Sequence, residues 1–145
     1  MSGAEDHRIR ALRPPRPPVD PWRPIGWEQE VEIRDGVEER ALTVFLAGAE
    51  CAFTCVFCDL WRYTTETPTP IGAIPEQLRI ALDEVSRRHP EQPRRPDTIK
   101  LYNASNFFDR RAVPLEDDTA ILDRVAGIGR VVVECHPMLV ARRAF

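Results

Sequence analysis

The chain contains no run of roughly 18 apolar residues, so nothing in it reads as a membrane-spanning helix. Its N-terminus lacks the basic-then-apolar pattern of a secretory signal. Charge of one sign is not in excess: 20 basic and 23 acidic residues leave a net −3. Composition therefore gives no general attraction toward nucleic acid. Cysteine is scarce, with four in 145 residues, and three of the four are clustered. That does not resemble a disulfide framework spread over a small secreted domain. Free thiols in a reducing cytoplasm are the expectation. No internal repeat at solenoid spacing is visible. The length suits one domain with a sizeable core, and it falls short of a complete (β/α)₈ barrel, which needs about 250 residues.

What the chain does have in quantity is proline, fourteen in all. Many lie in Arg13-Pro-Pro-Arg-Pro-Pro-Val-Asp-Pro-Trp-Arg-Pro24, which excludes a regular helix or a central strand there. The segment reads as an irregular lead-in with Trp22 and Trp27 packing on the body, or else as a polyproline-type recognition arm. Glu28 to Arg40 alternates charged residues with Val31, Ile33 and Val37 around Asp35-Gly36, a hairpin signal. Residues 1–40 are thus expected to form a Pro/Arg-rich arm and a two-stranded ribbon.

From Ala41 the pattern becomes α/β. Leu42 to Leu46 reads as a buried strand, followed by a cysteine-bearing loop and a Thr/Pro-rich connector. Pro75 suits the first turn of a helix, and Leu78, Ala81, Leu82 and Val85 fall on one helical face. Arg87-Arg88-His89 suit its C-terminal end, and Pro90 stops it. Thr98 to Asn103 reads as a second strand. Asp117 or Asp118 is placed to cap a second helix with Ile121, Leu122 and Val125 inward, ended by Gly127 and Gly129. Arg130 to Cys135 is a third strand whose apolar run suits burial on both faces. Strand, helix, strand, helix, strand predicts a parallel sheet built by crossovers, with Pro137–Phe145 opening a third helix.

Cys51, Cys55 and Cys58 form a C-x₃-C-x₂-C run directly after the first of these strands. Three thiolates can hold three corners of a four-iron cubane and leave the fourth iron open. Structural zinc commonly uses two separated cysteine pairs, so here Cys135, His89 or His136 would have to supply a fourth ligand. A ferredoxin-type cluster also needs a fourth cysteine. A thioredoxin-type C-x₂-C leaves Cys51 without a role, and metal-free structural cysteines remain the plain alternative. Cys135, in its apolar strand, reads as structural.

The segment Cys51-Ala-Phe-Thr-Cys55-Val-Phe57-Cys58 after a strand resembles the C-x₃-C-x-Φ-C signature of the radical S-adenosylmethionine superfamily. The resemblance spans roughly Ala41 to Pro137. Leu101 to Asp109 and Val133 to Pro137 further resemble strand ends of the group that includes the elongator-type and archaeosine-type tRNA-modifying enzymes. It implies the first three βα units of a partial (β/α)₆ TIM-like barrel over residues 41–145. Because later strands of such a barrel are missing, the expectation is a fragment, a truncated product or one piece of a split enzyme.

The resemblance also implies a cofactor set. Cys51, Cys55 and Cys58 would hold a [4Fe-4S] cluster whose open iron binds S-adenosylmethionine, with an electron donor such as flavodoxin or ferredoxin. Phe57 would lie beside the adenine or else be an ordinary core aromatic. Asn103, Ser105 and Asn106, at the end of the second strand, would meet the methionine amino group. The chain lacks the Gly-Gly-Glu form common at that site. Glu134 would meet the ribose or amine, or face an arginine if buried. Trp61, Arg62 and Tyr63 are expected to pack the loop. RNA is the substrate class the subgroup resemblance implies. The alternative is a non-catalytic zinc-binding or interaction module using the same cysteines.

Overall fold

The computed structural model describes residues 3–88, 90 and 95–140. In chain order its elements are α1 (Gly3–Ala11), β1 (Gly26–Arg34), β2 (Val37–Leu46), β3 (Gly48–Ala49), β4 (Thr64–Thr65), α2 (Ala73–Arg88), β5 (Thr98–Asn103), α3 (Asp118–Val125), β6 (Arg130–Val133) and α4 (Pro137–Val140). Single 3₁₀ turns at Leu60–Tyr63 and Leu115–Asp117 precede β4 and α3.

The main sheet has the order β1-β2-β5-β6. β1 runs antiparallel to β2, from Gly26 opposite Phe45 to Arg34 opposite Val37. Asp35 and Gly36 turn between them with φ of 51° and 79°. Two successive positive φ values match the right-handed twist of the flanking strands, which is why Asp-Gly serves there. β2, β5 and β6 are parallel, joined through α2 and α3. The ribbon and the parallel sheet are one structure, since β2 runs without a break across position 40/41.

The strand period of two sorts the sheet into unlike faces. Leu42, Val44, Leu46, Ile99 and Leu101 form one core with Ile74, Leu78 and Ala81 of α2 and Ile121 and Val125 of α3. Both helices therefore cover the same face. Leu82 and Val85 complete the α2 stripe at the core margin, as the helical spacing predicts. The opposite face carries charge. Lys100 binds Glu30 at 2.7 Å and also Glu32, while Arg130 lies 3.3 Å from Glu39. Hydrogen bonds that Lys100 donates to Glu30 and Glu32 hold its ammonium well above its ordinary range.

Two expectations need correction. Leu122 is 67% exposed, because only the Ile121–Val125 side of α3 meets the core. β6 ends at Val133 and is the sheet edge, half-exposed along its length. It is not covered on both faces, and Glu134 and Cys135 lie beyond it. The helix at the chain's end is seen only as Pro137–Val140; residues 141–145 and His89 lie outside the described residues.

Candidate metal centre

The cysteine run occupies the loop that leaves the C-terminal end of β2. Its base is clamped from both sides. β3 and β4 pair in parallel, Gly48 with Thr64 and Ala49 with Thr65, and the Glu50 N–H donates to the Thr65 carbonyl at 3.1 Å. The Ala49 N–H donates to Thr69 Oγ1 at 2.9 Å, and that hydroxyl donates on to the Ala112 carbonyl at 2.7 Å. Gln77, buried on α2, accepts from the Ala47 N–H at 2.8 Å and donates to the Ala47 and Pro21 carbonyls at 2.9 and 2.7 Å. A buried amide is tolerable only when satisfied in this way. The loop between these anchors has few such bonds.

Within the loop, Cys51, Cys55 and Cys58 are all free and half-buried. The Cys58 N–H donates to the Cys55 carbonyl at 3.2 Å, which turns the chain between them. Cys51 is singled out: its sulfur accepts the Phe53 N–H at 3.4 Å and the Asn106 side-chain N–H at 2.9 Å. Burial pushes the Cys51 thiol up, and the nearby Asp109 and Cys55 add to the rise. The two N–H groups pull in the other direction without reversing it. The Phe53 ring stacks on His136 with centroids 4.2 Å apart, joining the loop to the segment after β6. Among the described residues, no three Cys, His, Asp or Glu side chains converge closely enough to hold a metal ion. The three thiols share one loop, and bringing them together requires that loop to close.

The residues singled out from the sequence scatter in character. Asn103 ends β5 opposite Leu46, 7% exposed, and both polar atoms of its amide are buried with no partner among the described residues. The hydroxyls of Ser105 and Thr54 are in the same condition. Phe57 is 92% exposed, which excludes a core role. Glu134 is exposed, not buried, and it is the Glu134 carbonyl that works locally, accepting the Phe107 N–H at 3.0 Å. With the carboxylate in solvent, the penalty that would demand a partner disappears. Cys135 is half-buried just past the strand.

The N-terminal arm reaches this loop, which the sequence did not announce. Arg13 binds Glu50 at 2.7 Å; Arg16 also binds Glu50, and donates to the carbonyl and hydroxyl oxygens of Thr64 at 3.0 and 2.8 Å. Burial pushes the Glu50 carboxyl up, but the hydrogen bonds from Arg13 and Arg16 outweigh it and hold it below its ordinary value. Trp61 is buried beneath Arg13, Arg16 and Arg62, whose guanidinium carbons lie 4.9, 5.9 and 5.4 Å from its ring. Trp61 thus packs the loop, as expected, while Tyr63 is exposed. The spacing of Arg10, Arg13 and Arg16 was the available signal, masked by the prolines around it.

No protein-family model, curated protein or solved structure matches the chain. The fit of a metal group therefore rests on the donors themselves. Three soft thiols on one loop suit iron–sulfur or zinc chemistry. The unsatisfied buried amide of Asn103 and the hydroxyls of Ser105 and Thr54 offer polar contacts at the same end of the sheet, a pattern that native interiors otherwise avoid. The donor set fits.

Proposed function

We propose that this chain carries the cluster-binding part of a radical S-adenosylmethionine enzyme, with Cys51, Cys55 and Cys58 as ligands to a [4Fe-4S] cluster. The observation that carries the proposal is the placement of the C-x₃-C-x-Φ-C run on the loop leaving the C-terminal end of the first parallel strand. Sequential strand order with both helices on one face is also how a partial barrel begins. A cluster held by Cys51, Cys55 and Cys58 would supply one electron, drawn from a flavodoxin or ferredoxin, for reductive cleavage of S-adenosylmethionine.

The chain's own residues do the holding. The β3–β4 clamp, Gln77 and the Glu50–arginine cluster fix both ends of the loop, so metal binding has only the short middle segment to order. The Asn103 amide, able to donate and accept at once, is the best-placed contact for an amino-acid end of the cofactor. Ser105 Oγ is the second. Exposed Phe57 is free to fold over a bound adenine and shield it from water, and Glu134 is free to reach a ribose hydroxyl. RNA is the substrate class that the subgroup resemblance favours.

Anaerobic reconstitution with iron and sulfide tests this. The expected result is about four irons per chain and a cluster spectrum that changes on adding S-adenosylmethionine. Single changes of Cys51, Cys55 or Cys58 to Ala should abolish cluster uptake, and Cys135→Ala should retain it. One observation favours a second reading. The stack of His136 on Phe53 sets an imidazole beside the cysteine loop, as a zinc site with three cysteines and one histidine would need. Zinc uptake lost on His136→Ala, with no iron bound, would establish that reading.

A further inference from the structure

Asn106 is 5% exposed and is held on every side. Its Oδ1 accepts the His136 backbone N–H at 2.5 Å, and its Nδ2 donates to Cys51 Sγ at 2.9 Å. The amide cannot be reversed, because a backbone N–H only donates and must face the oxygen. Its own carbonyl accepts the Asp109 N–H at 3.0 Å, and the neighbouring Phe107 N–H is bound to Glu134 at 3.0 Å. The side chain therefore sits where the loops after β2, β5 and β6 meet, with the stacked Phe53 and His136 rings beside it. Among the described residues, no hydrogen bond reaches the sulfur of Cys55 or Cys58, so Cys51 is distinct within the set.

We infer that Asn106 is a positioning residue that fixes Cys51 and sets the reduction potential of the cluster this cysteine helps to hold; the inference rests on the function proposed above. An N–H aimed at a ligating sulfur stabilises the more negative, reduced state over the oxidised one, which raises the potential. Asn106 itself is buried, so little solvent competes for its side-chain N–H. Aspartate at this position keeps the size and the acceptor for His136 but presents an oxygen to the sulfur. Leucine removes both bonds. Both ends of the Asn106 amide carry a bond, in contrast to Asn103, whose amide has none among the described residues.

The test uses the full chain, reconstituted anaerobically, with iron content and midpoint potential measured for wild type, Asn106→Asp and Asn106→Leu. Both variants should bind iron at a lower potential. A roughly tenfold shift in the one-electron equilibrium corresponds to about 59 mV. Variants that load iron with an unchanged potential overturn the inference and leave the proposed function standing. A wild-type chain that takes up no iron overturns both. Should the variants fail to fold, pulsed electron paramagnetic resonance on reduced wild-type protein with ¹⁵N asparagine decides. A weak coupling to a side-chain nitrogen supports the bond to Cys51, and its absence overturns it.

Discussion

Asp117 shows how a single residue can serve an element other than its own. It stands at the start of α3, where capping chemistry places an aspartate, yet its side chain makes no cap to that helix. Its Oδ1 instead accepts the Gly72 N–H at 2.7 Å, at the first turn of α2. Burial pushes the carboxyl above its ordinary 3.8, against the lowering by the Gly72 and Ile74 N–H groups, and its Oδ2 is buried without a partner among the described residues. Between the unfolded-state value and the raised folded-state one, the folded chain binds more proton here than the unfolded chain does. The stability linked to this proton is complete below pH 3.8 and is lost as pH rises through the folded-state value. Asp117→Asn keeps the acceptor and removes the charge, so its stability relative to wild type should grow as pH rises from about 4 to 7. Asp117→Ala loses the acceptor and should cost about 1 kcal/mol at pH 7 in urea unfolding. At this scale the cysteine spacing was legible because it is local. The partner of Asp117 and the sulfur contact of Asn106 were not, because both depend on segments brought together only by the sheet.

The decisive elements are short. β3 and β4 hold two residues each, too brief to show any periodicity, yet they close the cysteine loop. A Cβ on Gly48 would lie 3.0 Å from both the Ala112 carbonyl oxygen and Thr69 Oγ1, and that carbonyl is backbone that cannot swing aside. Gly48→Ala should therefore destabilise the chain by about 1–3 kcal/mol and speed amide exchange at Ala49 and Glu50. The arm braces the same base from outside. Arg16→Ala should cost about 1–2 kcal/mol, read by urea unfolding. Lysine should recover only part of it, since a point charge cannot replace a fork shared between Glu50 and Thr64. The α2 stripe and the Asp35-Gly36 turn were readable in advance, since periodicity and turn chemistry are properties of contiguous residues. Leu122 was not, because whether a helical position faces a neighbour depends on whether a neighbour lies beyond the edge strand.

Over the whole molecule, the succession of strands and helices gave the mixed α/β class, and the mostly parallel sheet follows from it. Among the described residues the sheet is open and no barrel closes. Among the described residues, no helix is long and apolar enough to cross a membrane. One sheet face is packed by α2 and α3, and the other carries Glu30, Glu32, Glu39, Lys100 and Arg130. The cysteine loop leaves the sheet at the end where the buried Asn103 amide waits unsatisfied. We propose that this loop holds an iron–sulfur cluster with one iron left for S-adenosylmethionine. The most direct measurement is electron paramagnetic resonance of the reconstituted, reduced full chain with and without S-adenosylmethionine, alongside metal analysis. The expected result is about four irons per chain and a signal that shifts when the cofactor is added. Stoichiometric zinc without iron, or a cluster signal indifferent to the cofactor, would contradict it.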